Sequence, residues 1–252
     1  LVALLAALQR KLAPVFVLDT HAGAGRYDLE DIAARRTQEA QSGILRLLDS
    51  PAAALEPYLA LVRALGLYPG SPLLVRALLR PDDRLACCEL HPDDAAALRR
   101  LFARDPQVAV HHRDAWEALG ALLPPKQKRG LVLIDPPFEA ADEFARLAAA
   151  LTAVQRRFPQ GVFAAWYPIK HRAPVRAFLT AVRESGLRDV LAAELLLREP
   201  LDPARLNGSG LLVVNPPYCF EAEAQPILDA LLERLGIREA GEGAVITRVA
   251  DE

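Results

Sequence analysis

Methionine is absent from the 252-residue chain, and cysteine, aromatic residues and net charge are all low. The three cysteines are odd in number and two of them, Cys87 and Cys88, are adjacent, which excludes a disulfide framework and a four-cysteine zinc site. Lysine and arginine total 30 against 32 acidic residues, so a uniformly basic surface that holds nucleic acid by charge alone is excluded. No apolar run approaches the roughly 20 residues of a membrane span. With 52% hydrophobic residues, the chain is predicted to be globular, and its few cysteines fit a cytoplasmic location.

Short apolar runs alternate with helical patterns along most of the chain. This alternation predicts an α/β fold, with a doubly wound, mostly parallel seven-stranded sheet covered by helices on both faces. Right-handed crossovers bring the carboxyl ends of parallel strands to one edge, where we expect the ligands to bind. The predicted strands cover residues 15–19, 85–90, 108–113, 131–135, 162–167, 190–197 and 211–214.

One segment breaks the alternation. Residues 28–66 show helical patterning but no convincing strand. We therefore predict a single domain over residues 1–252, with a helical insertion subdomain at 28–66.

The first predicted strand runs into a glycine-rich loop, LDTHAGAGRY, at residues 18–27. Gly23 and Gly25 allow a tight turn in which backbone N–H groups approach a ligand at a helix N-terminus. A dinucleotide fingerprint needs a third glycine where this chain has Asp28, and an acid about 20 residues later, whereas the first strand-end acid is Glu89. The loop is either a cofactor loop of another kind or an ordinary glycine-rich turn.

Acidic residues follow the next three predicted strands in order. Glu89, in LACCELHP, can accept both hydroxyls of a ribose. Asp114, in VAVHHRDAW, can accept a hydrogen bond from an adenine amine, and the small Ala115 lets the ring lie flat. Asp135 opens the tetrapeptide D-P-P-F in GLVLIDPPFE. The glycine loop and these acids form an ordered set at successive strand ends.

This order resembles that of class I methyltransferases that use S-adenosylmethionine, and D-P-P-F resembles the signature of those that methylate exocyclic amines, chiefly adenine N6. With YPGSP at 68–72, ELHP at 89–92 and WYP at 166–168, the chain is similar to the bacterial RlmJ-type 23S ribosomal RNA adenine-N6 methyltransferases. The resemblance implies S-adenosylmethionine as cofactor and 23S ribosomal RNA as substrate. We expect no metal, because the sequence has no metal-ligand spacing and transfer from a sulfonium requires none. We also expect that the RNA is free RNA and that the protein is a cytoplasmic monomer with no membrane and no obligate protein partner. The residues that the resemblance places around the cofactor are His21, Gly23, Gly25, Ser71, Glu89, Asp114, Ala115 and Asp135.

The same resemblance makes Asp135 catalytic, and the chemistry of an aromatic amine agrees. The carboxylate of Asp135 and the backbone carbonyl of Pro136 can accept the two amine hydrogens, which aims the nitrogen lone pair at the methyl group. Phe138 can stack on the base, which is worth about 1 to 3 kcal/mol, and the base must be flipped out to reach the pocket. Ser71 followed by Pro72 predicts a helix that starts with a hydroxyl cap facing the cofactor carboxylate.

A second tetrapeptide, Asn215-Pro216-Pro217-Tyr218, matches the same signature equally well by itself. It follows a late strand at the far side of the predicted sheet, whereas Asp135 lies beside the cofactor strand. We therefore predict that Asp135 is catalytic, and that the second motif is a turn that either shapes the outer pocket or simply packs.

Four basic clusters, at residues 111–113, 126–129, 156–157 and 170–172, are either phosphate contacts or ordinary solvated faces. Lys170 and Arg172 follow the fifth predicted strand at the ligand-binding edge, so these two are the favoured RNA contacts. Two other functions stay open. D-P-P-F alone also permits methylation of DNA adenine or of protein glutamine, and a non-catalytic RNA-binding module of the same fold is the third possibility.

One feature departs from the family pattern. RlmJ-type enzymes carry a segment before the first strand, rich in His, Asn, Tyr and Lys, that helps to enclose the cofactor. Residues 1–12 show none of it. We expect either that the chain starts downstream of that segment or that this member has lost it, and that cofactor and RNA bind less tightly without it.

Overall fold

The computed structural model describes residues 1–27, 42–66 and 68–251. The strands are β1 (Val15–Asp19), β2 (Arg26–Tyr27), β3 (Tyr68–Pro69), β4 (Arg84–Glu89), β5 (Val108–His112), β6 (Arg129–Ile134), β7 (Gly161–Ile169), β8 (Val190–Leu196), β9 (Gly208–Val214) and β10 (Gly243–Ala250). The helices are α1 (Val2–Gln9), α2 (Ile44–Leu47), α3 (Glu56–Leu65), α4 (Ser71–Leu78), α5 (Pro92–Leu101), α6 (Ala115–Leu122), α7 (Glu143–Arg157), α8 (Arg172–Glu184) and α9 (Phe220–Leu235).

The main sheet contains eight strands in the order β10-β8-β9-β7-β6-β1-β4-β5. The strands β5, β4, β1, β6 and β7 are parallel, and β9 pairs antiparallel with both β7 and β8. The predicted α/β class and the mostly parallel sheet are confirmed. The predicted number of strands was one short, because β10 is a partly exposed edge strand, antiparallel to β8, without the continuous apolar run of a buried strand.

Helices cover both faces of the sheet, as the doubly wound prediction requires. Successive side chains of a strand point to opposite faces of the sheet. Leu18 and Val132 therefore pack in one hydrophobic cluster, with α6, α7 and α8. Val17 and Leu131 pack in the other cluster, with α1, α4, α5 and α9. Because β1 lies between β4 and β6, crossovers leave it in opposite directions and open a crevice at its carboxyl end.

We call the edge formed by the carboxyl ends of β1, β4, β5, β6 and β7 the ligand edge, and the edge formed by their amino ends the opposite edge. Among the described residues, no helix is both long and apolar enough to cross a membrane.

The segment predicted as a helical insertion is only partly described. Residues 28–41 of the predicted 28–66 lie outside the described residues, and 42–66 contain α2 and α3 and no strand. These helices pack on α9 through Ile44, Leu59 and Ala230. The two ends of the segment meet, since Arg26 pairs with Pro69 and Tyr27 with Tyr68. The subdomain as a unit stays a prediction.

Candidate active site

The glycine loop is fixed at the ligand edge by the carboxylate of Glu89. Glu89 accepts hydrogen bonds from the Gly23 N–H at 2.7 Å and from the His91 N–H at 2.7 Å. Gly23 and Gly25 both have left-handed backbones, with φ of +59° and +78°, and a Cβ on Gly25 would lie 2.7 Å from Leu98 Cδ1. The left-handed backbone therefore favours glycine at Gly25, and a larger residue there would also have to displace the Leu98 side chain.

A buried acid that sequence reasoning missed lies directly before this loop. Asp19 ends β1, is 2% exposed, and its Oδ2 has no hydrogen-bond partner in the described structure. Burial raises the pKa of Asp19 to about 6; a hydrogen bond from Ser71 opposes this shift, and the charges of Asp135 and Glu89 add to it. The signal was present in LDTHAG as an acid at the end of the first strand, immediately before the loop.

The predicted hydroxyl cap at Ser71 is wrong. Helix α4 begins at Ser71 itself, and the residue before it, Gly70, occupies the cap position with an extended backbone and no side-chain cap. The Gly70 N–H donates to the carbonyl of Gly25 at 3.0 Å, which ties this helix start to the glycine loop. The Ser71 side chain is thereby free to bond Asp19. Pro72, predicted at the first helical position, is the second residue of the helix, still within its first turn.

His21 connects the glycine loop to the D-P-P-F motif. Its Nδ1 accepts a hydrogen bond from the Asp135 backbone N–H at 3.2 Å and lies 2.8 Å from Thr20 Oγ1. Burial lowers the pKa of His21 to about 4, so the imidazole is neutral near pH 7. Since Nδ1 accepts the Asp135 N–H, we assign the remaining ring proton to Nε2.

The D-P-P-F motif directly follows β6 at the ligand edge. Desolvation by the surrounding groups raises the pKa of Asp135 to about 6, although the residue is exposed to solvent. Phe138 has a left-handed backbone, with φ of +52°, and its ring centroid lies 4.9 Å from that of Phe144 and 5.9 Å from that of Trp166. An aromatic residue in this conformation is strained, and such strain concentrates at functional sites.

Asp114 and Ala115 start helix α6 beside His21. Asp114 caps the helix, since its Oδ1 accepts the N–H groups of Trp116 at 2.9 Å and Glu117 at 3.1 Å, and Ala115 is buried. The Trp116 ring lies edge-on to His21, with 5.9 Å between centroids. The structure thus brings Asp114 to the same edge as the glycine loop, Glu89 and Asp135.

The two favoured RNA contacts differ in their surroundings. Arg172 donates to the buried Glu194 at 2.8 Å, and the Tyr167 hydroxyl donates to the other oxygen of Glu194 at 2.9 Å. Lys170, by contrast, is exposed and forms no ion pair with any described residue. Arg172 is thus engaged in an internal network at the ligand edge, whereas Lys170 is accessible there.

The second tetrapeptide lies at the opposite edge. Strand β9 runs antiparallel to β7, so Val214 faces Phe163, and the Asn215 Nδ2 donates to the carbonyl of Gly161 at 3.2 Å. Its conformation also differs, because the left-handed residue is Asn215 itself, with φ of +55°. Of the two interpretations offered for this motif, the one that makes it shape the pocket around Asp135 is wrong.

The other basic clusters are divided between the two edges. Residues 111–113 end β5 at the ligand edge, whereas 126–129 precede or begin β6 and 156–157 end α7, both at the opposite edge. Within the described part of the chain, no group of three or more His, Cys, Asp or Glu side chains is arranged to hold a metal ion.

Known proteins resemble this chain over nearly its whole length. A family model described as ribosomal RNA large subunit methyltransferase D, RlmJ, matches residues 13–248. Ribosomal RNA large subunit methyltransferase J of Escherichia coli is 37% identical over 94% of this chain and 88% of its own. Its Haemophilus influenzae counterpart is 36% identical over 90% and 84%. The crystal structure of Legionella pneumophila protein LPL1258 superposes with a TM-score of 0.87 at 35% identity, covering 98% of this chain and 93% of that one.

Proposed function

Because this chain belongs to the RlmJ family of ribosomal RNA large subunit methyltransferases, we propose that it methylates the exocyclic N6 amine of an adenine in 23S ribosomal RNA, with S-adenosylmethionine as donor. The observation that carries the proposal is the hydrogen bond from the Asp135 N–H to His21 Nδ1. It joins the cofactor loop and the D-P-P-F motif in one site, as a transfer between two bound molecules requires.

The residues at the ligand edge fit the proposed cofactor. An ammonium group would give the unpartnered Oδ2 of Asp19 both a donor and a compensating charge. Each oxygen of Glu89 accepts one backbone N–H and keeps a lone pair for a ribose hydroxyl. Asp114 uses Oδ1 for its helix cap, which leaves Oδ2 for an adenine amine. Ser71 and the start of α4 supply donors for a carboxylate.

Apart from the methyl donor, the chemistry needs only groups that this chain provides. The bound cofactor supplies an electrophilic methyl group on a sulfonium. Asp135 and the backbone carbonyl of Pro136 accept hydrogen bonds from the two amine hydrogens, and the Asp135 carboxylate takes up the proton that the amine loses on methylation and passes it to solvent. The bond to His21 fixes the backbone of Asp135 in position. Phe138, held by Phe144 and Trp166, offers a ring on which the flipped base can stack.

We further propose that the enzyme is a cytoplasmic monomer that acts on free 23S RNA without a metal or a membrane. Transfer from a sulfonium requires no metal, and ribosomal RNA is made in the cytoplasm of bacteria, the source of both curated relatives.

The direct test incubates the protein with methyl-labelled S-adenosylmethionine and 23S RNA transcribed in vitro, which carries no modifications. We expect label in N6-methyladenosine after digestion to nucleosides. The Asp135→Ala variant should lose at least about 1,000-fold in rate because both the acceptor and the positioning of the amine are lost. The Asn215→Ala variant, the matched control from the opposite edge, should keep substantial activity.

Two results would contradict the proposal. Label in DNA or protein but not in RNA would assign another amine substrate. Equal loss of activity in Asp135→Ala and Asn215→Ala, when circular dichroism shows that both proteins are folded, would contradict the proposed catalytic role of Asp135.

A further inference from the structure

Building on the proposed function, we infer that Arg146 binds an RNA phosphate beside the target adenine and so positions the substrate. Neither the sequence motifs nor the two favoured RNA contacts include this residue. The Arg146 guanidinium is a cation held at the ligand edge by an aromatic ring.

The position of Arg146 is defined by a short series of contacts. Its guanidinium carbon lies 4.8 Å from the centroid of the Trp116 ring, and Trp116 in turn lies edge-on to His21. His21 accepts the Asp135 N–H, so two side chains separate the guanidinium from the D-P-P-F motif. Burial is the main cause that lowers the pKa of His21, and the charge of Arg146 lowers it further, against the opposing charges of Glu89 and Asp114.

Arg146 is exposed and forms no ion pair with any described residue, although Asp142 and Glu143 lie one turn earlier on the same helix. The indole face orients the guanidinium without neutralising its charge, and it leaves the N–H edges of the fork open. This distinguishes Arg146 from Arg172, whose charge is paired with Glu194. A preoriented, unneutralised fork is suited to an anion.

A phosphate of the RNA is the anion that best fits this place. The carboxylate of the cofactor is assigned to the start of α4, beside Asp19 and Ser71, whereas Arg146 lies on the side of α6 and α7. When an adenine is flipped into a pocket, its flanking phosphates remain at the mouth. Arginine binds phosphate with two parallel charge-assisted hydrogen bonds, and such contacts set the register of a nucleic acid.

The experiment compares Arg146→Ala with Arg156→Ala. Both arginines are exposed on α7, but Arg156 is at the end of the helix near the opposite edge. We expect Arg146→Ala to raise KM for transcribed 23S RNA about tenfold or more, and to reduce the slope of log affinity against log salt by about one. Calorimetry should give an unchanged Kd for S-adenosylmethionine. Arg156→Ala should change none of these quantities.

A further variant separates charge from geometry. Arg146→Lys keeps the cation but lacks the planar fork of the guanidinium. It should therefore keep the wild-type salt slope, and its KM for the RNA should lie between those of wild type and Arg146→Ala. A purely structural role would instead lower the melting temperature and leave the salt slope unchanged.

Three outcomes would overturn the inference: an unchanged KM and salt slope in Arg146→Ala, a Kd for S-adenosylmethionine that weakens as much as KM rises, or equal effects of both alanine variants. Failure of the proposed function would look different, because the wild-type protein itself would not methylate the RNA.

Discussion

In the proposed mechanism, the carboxyl group of Asp135 must meet two demands at once. It must lie in a site dry enough to strengthen its hydrogen bonds to the amine, and it must still be ionised to accept them. The structure fixes its backbone through His21, whose imidazole is neutral and therefore adds no competing positive charge. The pKa of Asp135 is raised to about 6 but is still below 7, so the carboxyl group is ionised at pH 7 and above.

This balance predicts an acid limb in the pH profile. Protonated Asp135 presents a hydroxyl donor to the amine instead of an acceptor, so kcat/KM should fall about tenfold per pH unit below about 6. Above this pH, kcat/KM should be level. The measurement is kcat/KM for RNA between pH 5 and pH 8, with wild-type protein checked for folding at each pH.

The Asp135→Asn variant serves as control, because an amide oxygen accepts a hydrogen bond at every pH. It should retain part of the activity and lose the acid limb. Asp19 has a pKa raised to a similar value, so a limb that survives in Asp135→Asn would belong to Asp19 and refute the assignment.

At the scale of elements, apolar runs predicted the buried strands, and the ordered acids predicted which strand ends meet. The sequence could not predict β10, because an edge strand with one partner needs no continuous apolar run. It misplaced the cap of α4, because the bond from Gly70 to Gly25 joins residues far apart in the chain. The sequence also does not show which side chains pair in the fold. Arg172 was therefore predicted as an RNA contact, and its hydrogen bond to Glu194 was not predicted. The roles of the cofactor residues stay predictions.

The network on β7, β8 and α8 makes Arg172 and Lys170 experimentally separable. Removing Arg172 leaves Glu194, which is 6% exposed, with an uncompensated charge; because Arg172 is itself partly exposed, we expect a loss of about 1 to 3 kcal/mol in the free energy of unfolding. Lys170→Ala should leave that free energy unchanged within about 0.5 kcal/mol and weaken RNA binding. Urea unfolding and RNA titration measure the two effects.

A double variant supplies the control. Arg172→Ala combined with Glu194→Gln removes the buried charge, and it should recover part of the lost stability. If Arg172→Ala instead unfolds like wild type and loses only RNA affinity, the ion pair is not a structural one.

At the scale of the whole molecule, we expect folding and cofactor binding to be coupled through Asp19. Its pKa is raised from 3.8 to about 6, so its contribution to stability is fully present below about pH 4 and is lost as pH rises through about 6. A shift of this size corresponds to about 3 kcal/mol at pH 8. Asp19→Asn should therefore raise the free energy of unfolding at pH 8 by about 1 to 3 kcal/mol and weaken the binding of S-adenosylmethionine. Thermal unfolding with and without the cofactor measures both effects.

Asp83 is the matched control, since it is also buried. At Asp83, burial raises the pKa, but hydrogen bonds from Arg80 and from the Val15 N–H more than offset this effect and lower the pKa to about 2. Asp83→Asn should accordingly lose stability at pH 8. A lower free energy of unfolding in both variants would show that the Asp19 carboxylate stabilises the fold, and would contradict its proposed role in cofactor binding.

The paired ends Arg26–Tyr27 and Tyr68–Pro69 bear on how this family can diversify. Because the chain departs from and returns to adjacent positions, the length between them can change without shifting the register of the main sheet. The paired ends are themselves tied to the glycine loop, since the Gly70 N–H donates to the carbonyl of Gly25 directly beside them. Changes of length are therefore confined to the chain between the paired ends, and the glycine loop keeps its place at the ligand edge.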